Sequence, residues 1–376
     1  MRNNLYAVIL AGGTGTRFWP LSRRKRPKQF LTIMGRKSLF EQTIERVRPK
    51  VPARNILIVT SARYKNIVRT QARPFSIPAE NFLYEPEGKN TASAIGWATA
   101  RIQARDRDAV MAVLPSDHLI QNPKAFHRCL DEAVRLAERD LLVTFGIVPT
   151  RAETGYGYLK IRRTWDVGPL DFVRSKRRTP VLRSQTRKQF GEGGYLRVVQ
   201  FVEKPTLEKA KRFLRDKSYL WNSGMFVWKA AAIREALRRY LPEIFLVFEK
   251  EYSQAHARKY WKDLPNISID YGILEKAGNV AAVAASGIRW SDVGSWETLF
   301  TVSPKTRNGN VLHGDVLQID CRNVLAVGSK RLIAMVGLSD VVIVDTPDAL
   351  LVCRSDKSQR VRDVISELKT KKRKEI

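Results

Sequence analysis

The first 150 residues alternate between two textures. Short apolar runs bounded by chain breakers at Tyr6–Leu10, Ile56–Thr60, Val110–Leu114 and Leu141–Val148 predict buried strands. Helical signals lie between them. Ser38-Leu-Phe-Glu41 has the spacing of a capping box and predicts a helix start. Thr91–Arg105 is rich in Ala and Ile and ends on arginine, which predicts another helix. Strand–helix alternation implies an α/β, Rossmann-like domain with a mainly parallel sheet and helices on both faces. Ligands of such sheets bind beyond the carboxyl ends of the strands. The loop after the first strand lies at such an end.

Residues 151–300 are less regular. Val198–Val202 and Met225–Trp228 predict strands, Thr154–Tyr158 a glycine-interrupted aromatic strand, and Ala230–Tyr240 a helix. Arg163–Gly194 is polar, basic and turn-rich, and reads as an inserted, partly mobile loop. From about Asn308 the texture changes to short apolar runs separated by Gly, Asp and Asn turns, a series of short strands. Arg360–Lys374 reads as a terminal helix.

Composition narrows the class. A chain of 376 residues can bury two domains, and 44% hydrophobic content is ordinary for a globular protein. No apolar run is long enough to span a bilayer, and MRNN leads straight into a strand-like run with no signal-peptide pattern. Cys129, Cys321 and Cys353 are widely spaced and form no ligand pattern, so the expectation is a cytoplasmic protein with reduced thiols. Charge is the unusual feature. The 67 Lys and Arg outnumber 37 Asp and Glu, a net +30, concentrated in Lys160–Arg197 and the tail Lys369–Lys374. Such a field attracts polyanions, whether nucleic acid or a phosphorylated substrate in a positive cleft. No nucleic-acid motif is recognisable, so specific nucleic-acid binding is not expected.

The most informative stretch is Leu5–Phe30, LYAVILAGGTGTRFWPLSRRKRPKQF. An apolar run ends in Gly12, Gly13 and Gly15, which permit φ > 0 and expose successive N–H groups as an anion cradle. Arg17 and Lys28 supply a guanidinium fork and a point charge for a polyphosphate. A dinucleotide fingerprint is excluded because its third glycine position is Phe18, and no Gly-Lys-[Ser/Thr] completes a P-loop. Downstream, Val113-Leu-Pro-Ser-Asp-His118 puts Asp117 just past a buried strand, as a helix cap or a ligand for a hard cation. Asp292 stands between tryptophans in a Gly/Ser turn, where it meets a cation or its own backbone. Asn90 begins a helix, and capping alone would explain it. Val202-Glu-Lys-Pro205 ends a strand with two opposite charges that suit an exposed surface; Trp221-Asn-Ser-Gly224 offers an amide that can donate to and accept from vicinal hydroxyls, and Asp270 in Ile269-Asp-Tyr-Gly272 suits a hydroxyl or a helix start.

The Leu5–Phe30 segment resembles the signature of the sugar-nucleotide pyrophosphorylases. Its FWPLSRRKRPKQF continuation is similar to the mannose-1-phosphate guanylyltransferase branch, where glucose-directed enzymes more often read GTRL-x-P-x-T. The resemblance continues in blocks to about Asp348. It implies a nucleotidyltransferase catalytic domain at 1–300, with the basic insertion at about 163–194 longer than usual. A C-terminal β-rich, left-handed β-helix-like domain with a terminal helix would follow at 301–376. On length, the isomerase domain fused to some relatives would be absent. The implied nucleotide site comprises Leu10, Ala11, Gly12, Gly13, Gly15, Thr16, Arg17, Lys28, Pro86, Asn90, Thr91, Ser116 and Asp117. Gly157, Glu203, Lys204, Asn222, Asp270 and Asp292 would hold the sugar phosphate, and Asp117 and Asp292 would bind Mg²⁺ or Mn²⁺. His118 is expected to be structural or substrate-lining, since a phosphate-bound Mg²⁺ prefers oxygen. Arg17, Lys28, Asp117 and Asp292 would be the catalytic set for GTP + mannose 1-phosphate → GDP-mannose + pyrophosphate. No general base is required, because a phosphomonoester with a second pKa of about 6 is already largely dianionic. Another pairing, such as glucose 1-phosphate with UTP or dTTP, stays open, with a polyanion-binding protein as the distant alternative. The β-rich C-terminal part is a natural homodimer surface.

Overall fold

The computed structural model describes residues 4–13, 15–164 and 195–375. The expected insertion at 163–194 therefore lies, from residue 165 on, outside the described residues.

One large sheet organises most of the chain. Its strands are β1 (Leu5–Leu10), β2 (Ile56–Ser61), β3 (Phe82–Glu85), β4 (Val110–Pro115), β5 (Leu142–Ile147), β6 (Tyr158–Thr164), β7 (Tyr195–Val202), β8 (Tyr219–Lys229) and β9 (Val280–Ala284). They lie in the order β3-β2-β1-β4-β8-β5-β9-β7-β6, and β6 pairs again with the start of β8. Strands β1 to β4 are mutually parallel and β9 is parallel to β5. Between these two groups β8 runs antiparallel to both β4 and β5.

The alternation of side chains explains why every position of β1 is apolar. Tyr6 and Val8 enter one core with Trp97, Ile95 and Leu237, while Leu5, Ala7 and Ile9 enter another with Phe40, Ile44 and Phe126. A strand buried on both faces shows no amphipathic period. Helix α1 (Leu39–Val47) starts as predicted: Glu41 N–H donates to Ser38 Oγ at 3.2 Å, and Ser38 N–H returns a bond to the Glu41 carboxylate at 2.8 Å. Helices α2 (Asn90–Gln103), α3 (Pro123–Ala137) and α4 (Ala230–Tyr240) complete the layers.

Two expectations in the middle of the chain shift. The segment Thr154–Tyr158 is a strand only from Tyr158, because Gly155 and Gly157 sit in the loop that precedes β6. Conversely, Trp221–Gly224 belongs to β8, which begins at Tyr219 and not at Met225. Its polar centre hides the strand from a hydrophobicity reading. The register of β5 against β8 shifts between Thr144 and Gly146, and Gly224 takes φ +69°. Such a bulge re-aims side chains next to a site.

After α5 (Trp296–Val302) the chain coils. β10 (Val311–His313), β12 (Leu325–Val327) and β14 (Val341–Asp345) stack in parallel, as do β11 (Val316–Ile319) and β13 (Ile333–Val336), and β15 (Leu350–Arg354) closes antiparallel on β14. Left-handed Asp320, Asn323 and Asp340 turn the corners. The buried Asn310 side chain joins successive coils through Val324 N–H (2.9 Å) and Cys321 O (2.8 Å). The terminal helix α6 spans Val361–Thr370, shorter than the expected 360–374, and a 3₁₀ turn at Ser355–Arg360 leads into it.

Candidate active site

The loop after β1 is fixed by its carbonyls. Gln29 Nε2 donates to Ala11 O (3.1 Å) and Gly13 O (2.9 Å), Thr60 Oγ1 donates to Ala11 O (2.7 Å), and Ser116 N–H donates to Leu10 O (3.0 Å). With its carbonyls held this way, the loop stands at the carboxyl edge of the sheet. A Cβ on Gly13 would meet nothing within 4 Å. Gly15, at φ +57°, lies directly against Lys28.

A cleft of about 500 Å³ opens over this loop, a size that suits a nucleotide or sugar ligand. Of the predicted residues, Leu10, Gly12, Gly13, Asn90, Thr91, Asp117, Gly157, Glu203, Lys204, Asn222, Asp270 and Asp292 line it. Ala11 and Ser116 are buried beneath the loop. Gly15, Thr16, Arg17, Lys28 and Pro86 are off the cleft wall. Arg17, half-buried in the turn Thr16–Phe18, has no ionic or hydrogen-bond partner among the described residues.

Asp117 and Asp292 are brought together by a ribbon that pairs Trp290 with Ile120 and Ser291 with Leu119. Lys28, 5% exposed, links them: its ammonium donates to Asp117 Oδ2 at 2.9 Å and to the main-chain oxygen of Asp292. Burial alone would push the Asp117 carboxyl up; the Lys28 ammonium beside it outweighs this and holds the carboxyl below its ordinary value. The side chain remains 41% exposed because it opens onto the cleft. Trp290 Nε1–H donates to His118 Nδ1 at 3.2 Å, and an indole can only donate, so that nitrogen is unprotonated. Burial also lowers the His118 pKa, against the pull of Asp117. His118 is therefore a neutral side chain lining the cleft.

On one flank, Asn222 is locked in orientation. Thr144 Oγ1 donates to Asn222 Oδ1 (2.8 Å), and Asn222 Nδ2 donates to Asp270 Oδ1 (2.9 Å). Burial, then the Glu203 charge, raises the Asp270 carboxyl to about 7, while Asn222 and Lys204 oppose this. Glu203 and Lys204 reach the same cleft although neighbouring strand residues point apart, because Lys204 turns left-handed at φ +44°; its ammonium lies 3.0 Å from Glu203 Oε1. Gly157 leaves room for the Glu203 carboxylate, since a Cβ there would overlap Glu203 Oε2 as it now lies.

Asn90, Thr91 and a residue that sequence reasoning missed also line the cleft. Asn90 adopts φ +63° and its Oδ1 accepts from the adjacent Thr91 N–H (3.0 Å), while Thr91 Oγ1 accepts from Ile269 N–H (2.8 Å). Glu85 ends β3, is 6% exposed, and lies beside Gly12, where a Cβ would come 3.2 Å from its Oε2. Burial raises its carboxyl to about 7. Its signal was available: a carboxylate just past a buried strand, as at Asp117. Gln29 and Tyr156 were also missed. Nothing in the sequence tells that Gln29 holds the loop or that the Tyr156 hydroxyl meets Asp292.

The two acids can hold a hard divalent ion. They supply oxygen donors beside the glycine loop, and among the described residues no group of three or more His, Cys, Asp or Glu forms a closed metal cage. An Mg²⁺ site of this kind completes its shell with water and substrate phosphates.

The nucleotidyl transferase family model matches residues 6–309, and the MannoseP isomerase/GMP-like beta-helix domain matches residues 314–368. The xanthan biosynthesis protein XanB of Xanthomonas campestris is 39% identical over 99% of this chain and 75% of its own. Mannose-1-phosphate guanylyltransferase of Escherichia coli is 35% identical over 98% of this chain and 74% of its own. A crystal structure titled mannose-1-phosphate geranyltransferase, from Thermus thermophilus, superposes with a TM-score of 0.82 at 32% identity, covering 97% of this chain and 99% of that one. A glycine loop, two converging acids and these matches lead to one conclusion: the chain belongs to the nucleotidyl transferase family and carries a beta-helix domain of the MannoseP isomerase/GMP type.

Proposed function

We propose that the protein transfers GMP from GTP to mannose 1-phosphate, giving GDP-mannose and pyrophosphate. The observation that carries the reading is the meeting of Asp117 and Asp292 on Lys28, beside the glycine loop. The named activity of the Escherichia coli relative supports the substrate pair. A sugar-phosphate oxygen attacks the α-phosphorus, the new P–O bond forms, and the bond to the β-phosphate breaks. Catalysis then rests on positioning and charge neutralisation.

Backbone N–H groups of Gly12 and Gly13 face the phosphates. Arg17, which has no partner of its own among the described residues, offsets the charge of the leaving pyrophosphate. Lys28 keeps Asp117 ionised and ties it to the Asp292 turn. Asp117 and Asp292 would hold Mg²⁺ or Mn²⁺, which when bound neutralises phosphate charge. Glu203, Asn222 and Asp270 accept and donate to sugar hydroxyls, and Lys204 restrains the sugar phosphate. Asn90, Thr91 and Pro86 frame the base. Glu85 selects it: guanine presents N1–H and N2–H₂ donors to a carboxylate, whereas the carbonyls flanking N3–H in uracil and thymine repel it. The division at about residue 300, a cytoplasmic location and a homodimer through the C-terminal domain belong to the same proposal. Among the described residues no helix is long and apolar enough to cross a membrane.

Pyrophosphate release across GTP, UTP and dTTP, each with mannose 1-phosphate and glucose 1-phosphate, with Mg²⁺ and an EDTA control, tests the reading. GTP with mannose 1-phosphate should lead; a better rate with another pair, or none at all, would overturn it. Asp117→Asn should cut turnover by orders of magnitude with the circular-dichroism spectrum unchanged.

A further inference from the structure

The Asp292 turn is built under constraint. Val293 adopts φ +45°, a left-handed conformation that β-branched residues rarely take, and its N–H donates to Ser291 Oγ at 3.0 Å. Strain of this kind persists only where the surroundings over-determine it. The carboxylate that the turn presents is held through one oxygen. Tyr156 Oη donates to Asp292 Oδ1 at 2.5 Å. Gly294 leaves room for the other oxygen, since a Cβ there would come 2.6 Å from Asp292 Oδ2.

The tyrosine is itself held. Its ring meets Trp221 edge-on at 5.2 Å and Trp290 at 5.4 Å. Arg151, bonded to Glu153 at 3.0 Å, lies over the Trp221 and Tyr156 rings at 5.4 and 5.9 Å. Trp221 is the strand neighbour of Asn222, and Trp290 lies two residues before Asp292. The clamp therefore joins the sugar flank to the acid turn. Tyr156 also lines the cleft, beside Asp292.

We propose that Tyr156 is a positioning residue: its hydroxyl fixes the Asp292 carboxylate so that the remaining lone pairs face the phosphate end of the cleft. The inference rests on Asp292 being a metal carboxylate. A phenol is ordinarily protonated up to about pH 10, so the hydroxyl is a donor at neutral pH. Outer hydrogen bonds of this sort orient metal ligands, and their loss typically costs about ten- to a hundred-fold in metal affinity or activity.

The test uses the whole chain and the variant Tyr156→Phe, which removes one oxygen and keeps the ring between the tryptophans. Mn²⁺ binding is read by electron paramagnetic resonance with GTP alone, so that no turnover occurs. We expect Mn²⁺ affinity to fall about ten-fold or more, with the metal concentration for half-maximal activity rising in parallel. Asp292→Asn and the double variant complete a cycle: once Asp292 is neutralised, removing the Tyr156 hydroxyl should cost little more. Unchanged Mn²⁺ affinity in Tyr156→Phe, or additive losses in the double variant, would overturn the positioning role. Should Tyr156→Phe prove misfolded by circular dichroism, wild-type protein carrying fluorotyrosines decides, because a stronger phenol donor must alter Mn²⁺ affinity if the bond matters. Failure of the functional reading shows separately, as no pyrophosphate release from any substrate pair by the wild type.

Discussion

At the scale of single residues, the site depends on what cannot be added. Gly15 has φ +57° and lies against Lys28, whose backbone N would come 2.7 Å from any Cβ placed there. Gly15→Ala should therefore displace Lys28, lower stability by about 2 kcal/mol in urea titration, and depress kcat. The sequence marked Gly15 and Lys28 separately; their contact could not be read from it. Charge tells a similar story. Glu85 and Asp270 are both raised to about 7, Glu85 by burial and Asp270 by burial and then Glu203. The fold binds these protons more tightly than the unfolded chain does. Their contribution to stability is thus full below the ordinary carboxylate pKa and is lost as pH rises toward 7. The melting temperature of the ligand-free protein should fall between about pH 5 and pH 7, and Glu85→Gln should flatten that slope. A slope unchanged in the variant would mean that Glu85 ionises normally.

At the scale of elements, local signals worked where the partner is close in sequence. The capping box at Ser38 and Glu41 formed as its spacing predicts. Ser38→Ala should cost about 1 kcal/mol by chemical denaturation, the usual value of a lost N-cap. Ala230–Tyr240 is a helix over the predicted span because its apolar period and its flanks agree. Strand β8 was half missed, since the Asn-Ser-Gly that makes it useful also makes it look like a loop. A bulge spends regular pairing to aim Asn222 at the cleft, and only the neighbouring strand reveals it. The ribbon that joins Leu119–Ile120 to Trp290–Ser291 was unreadable too: two residues per strand carry no period.

At the scale of the whole molecule, the C-terminal coil and the signature segment share a core. Phe18 and Trp19 from the signature segment and Leu31 just after it pack in one cluster with Val293 and Trp296 near Asp292, and with Leu325, Val342, Val361 and Ile365 from the coil and last helix. Trp296 Nε1–H donates to Trp19 O at 3.0 Å, its ring lies 4.8 Å from Phe18, and Trp19 Nε1–H donates to Glu375 O at 2.7 Å. A core spanning both family segments should make them unfold together, so calorimetry should show one transition; two resolved transitions would refute this. Such cooperation is a tertiary property. By itself, the sequence determined the α/β class and the family, and it marked the glycine loop and the acids that meet beside it as candidates, because periodicity and short motifs are carried by neighbours along the chain. Only the fold decided that Lys28 bridges Asp117 and Asp292, that Tyr156 grips Asp292, and that Glu85 faces Gly12. Those contacts join residues far apart in sequence, and their geometry is set by strand order, a bulge and a shared core, none of which leaves a local pattern.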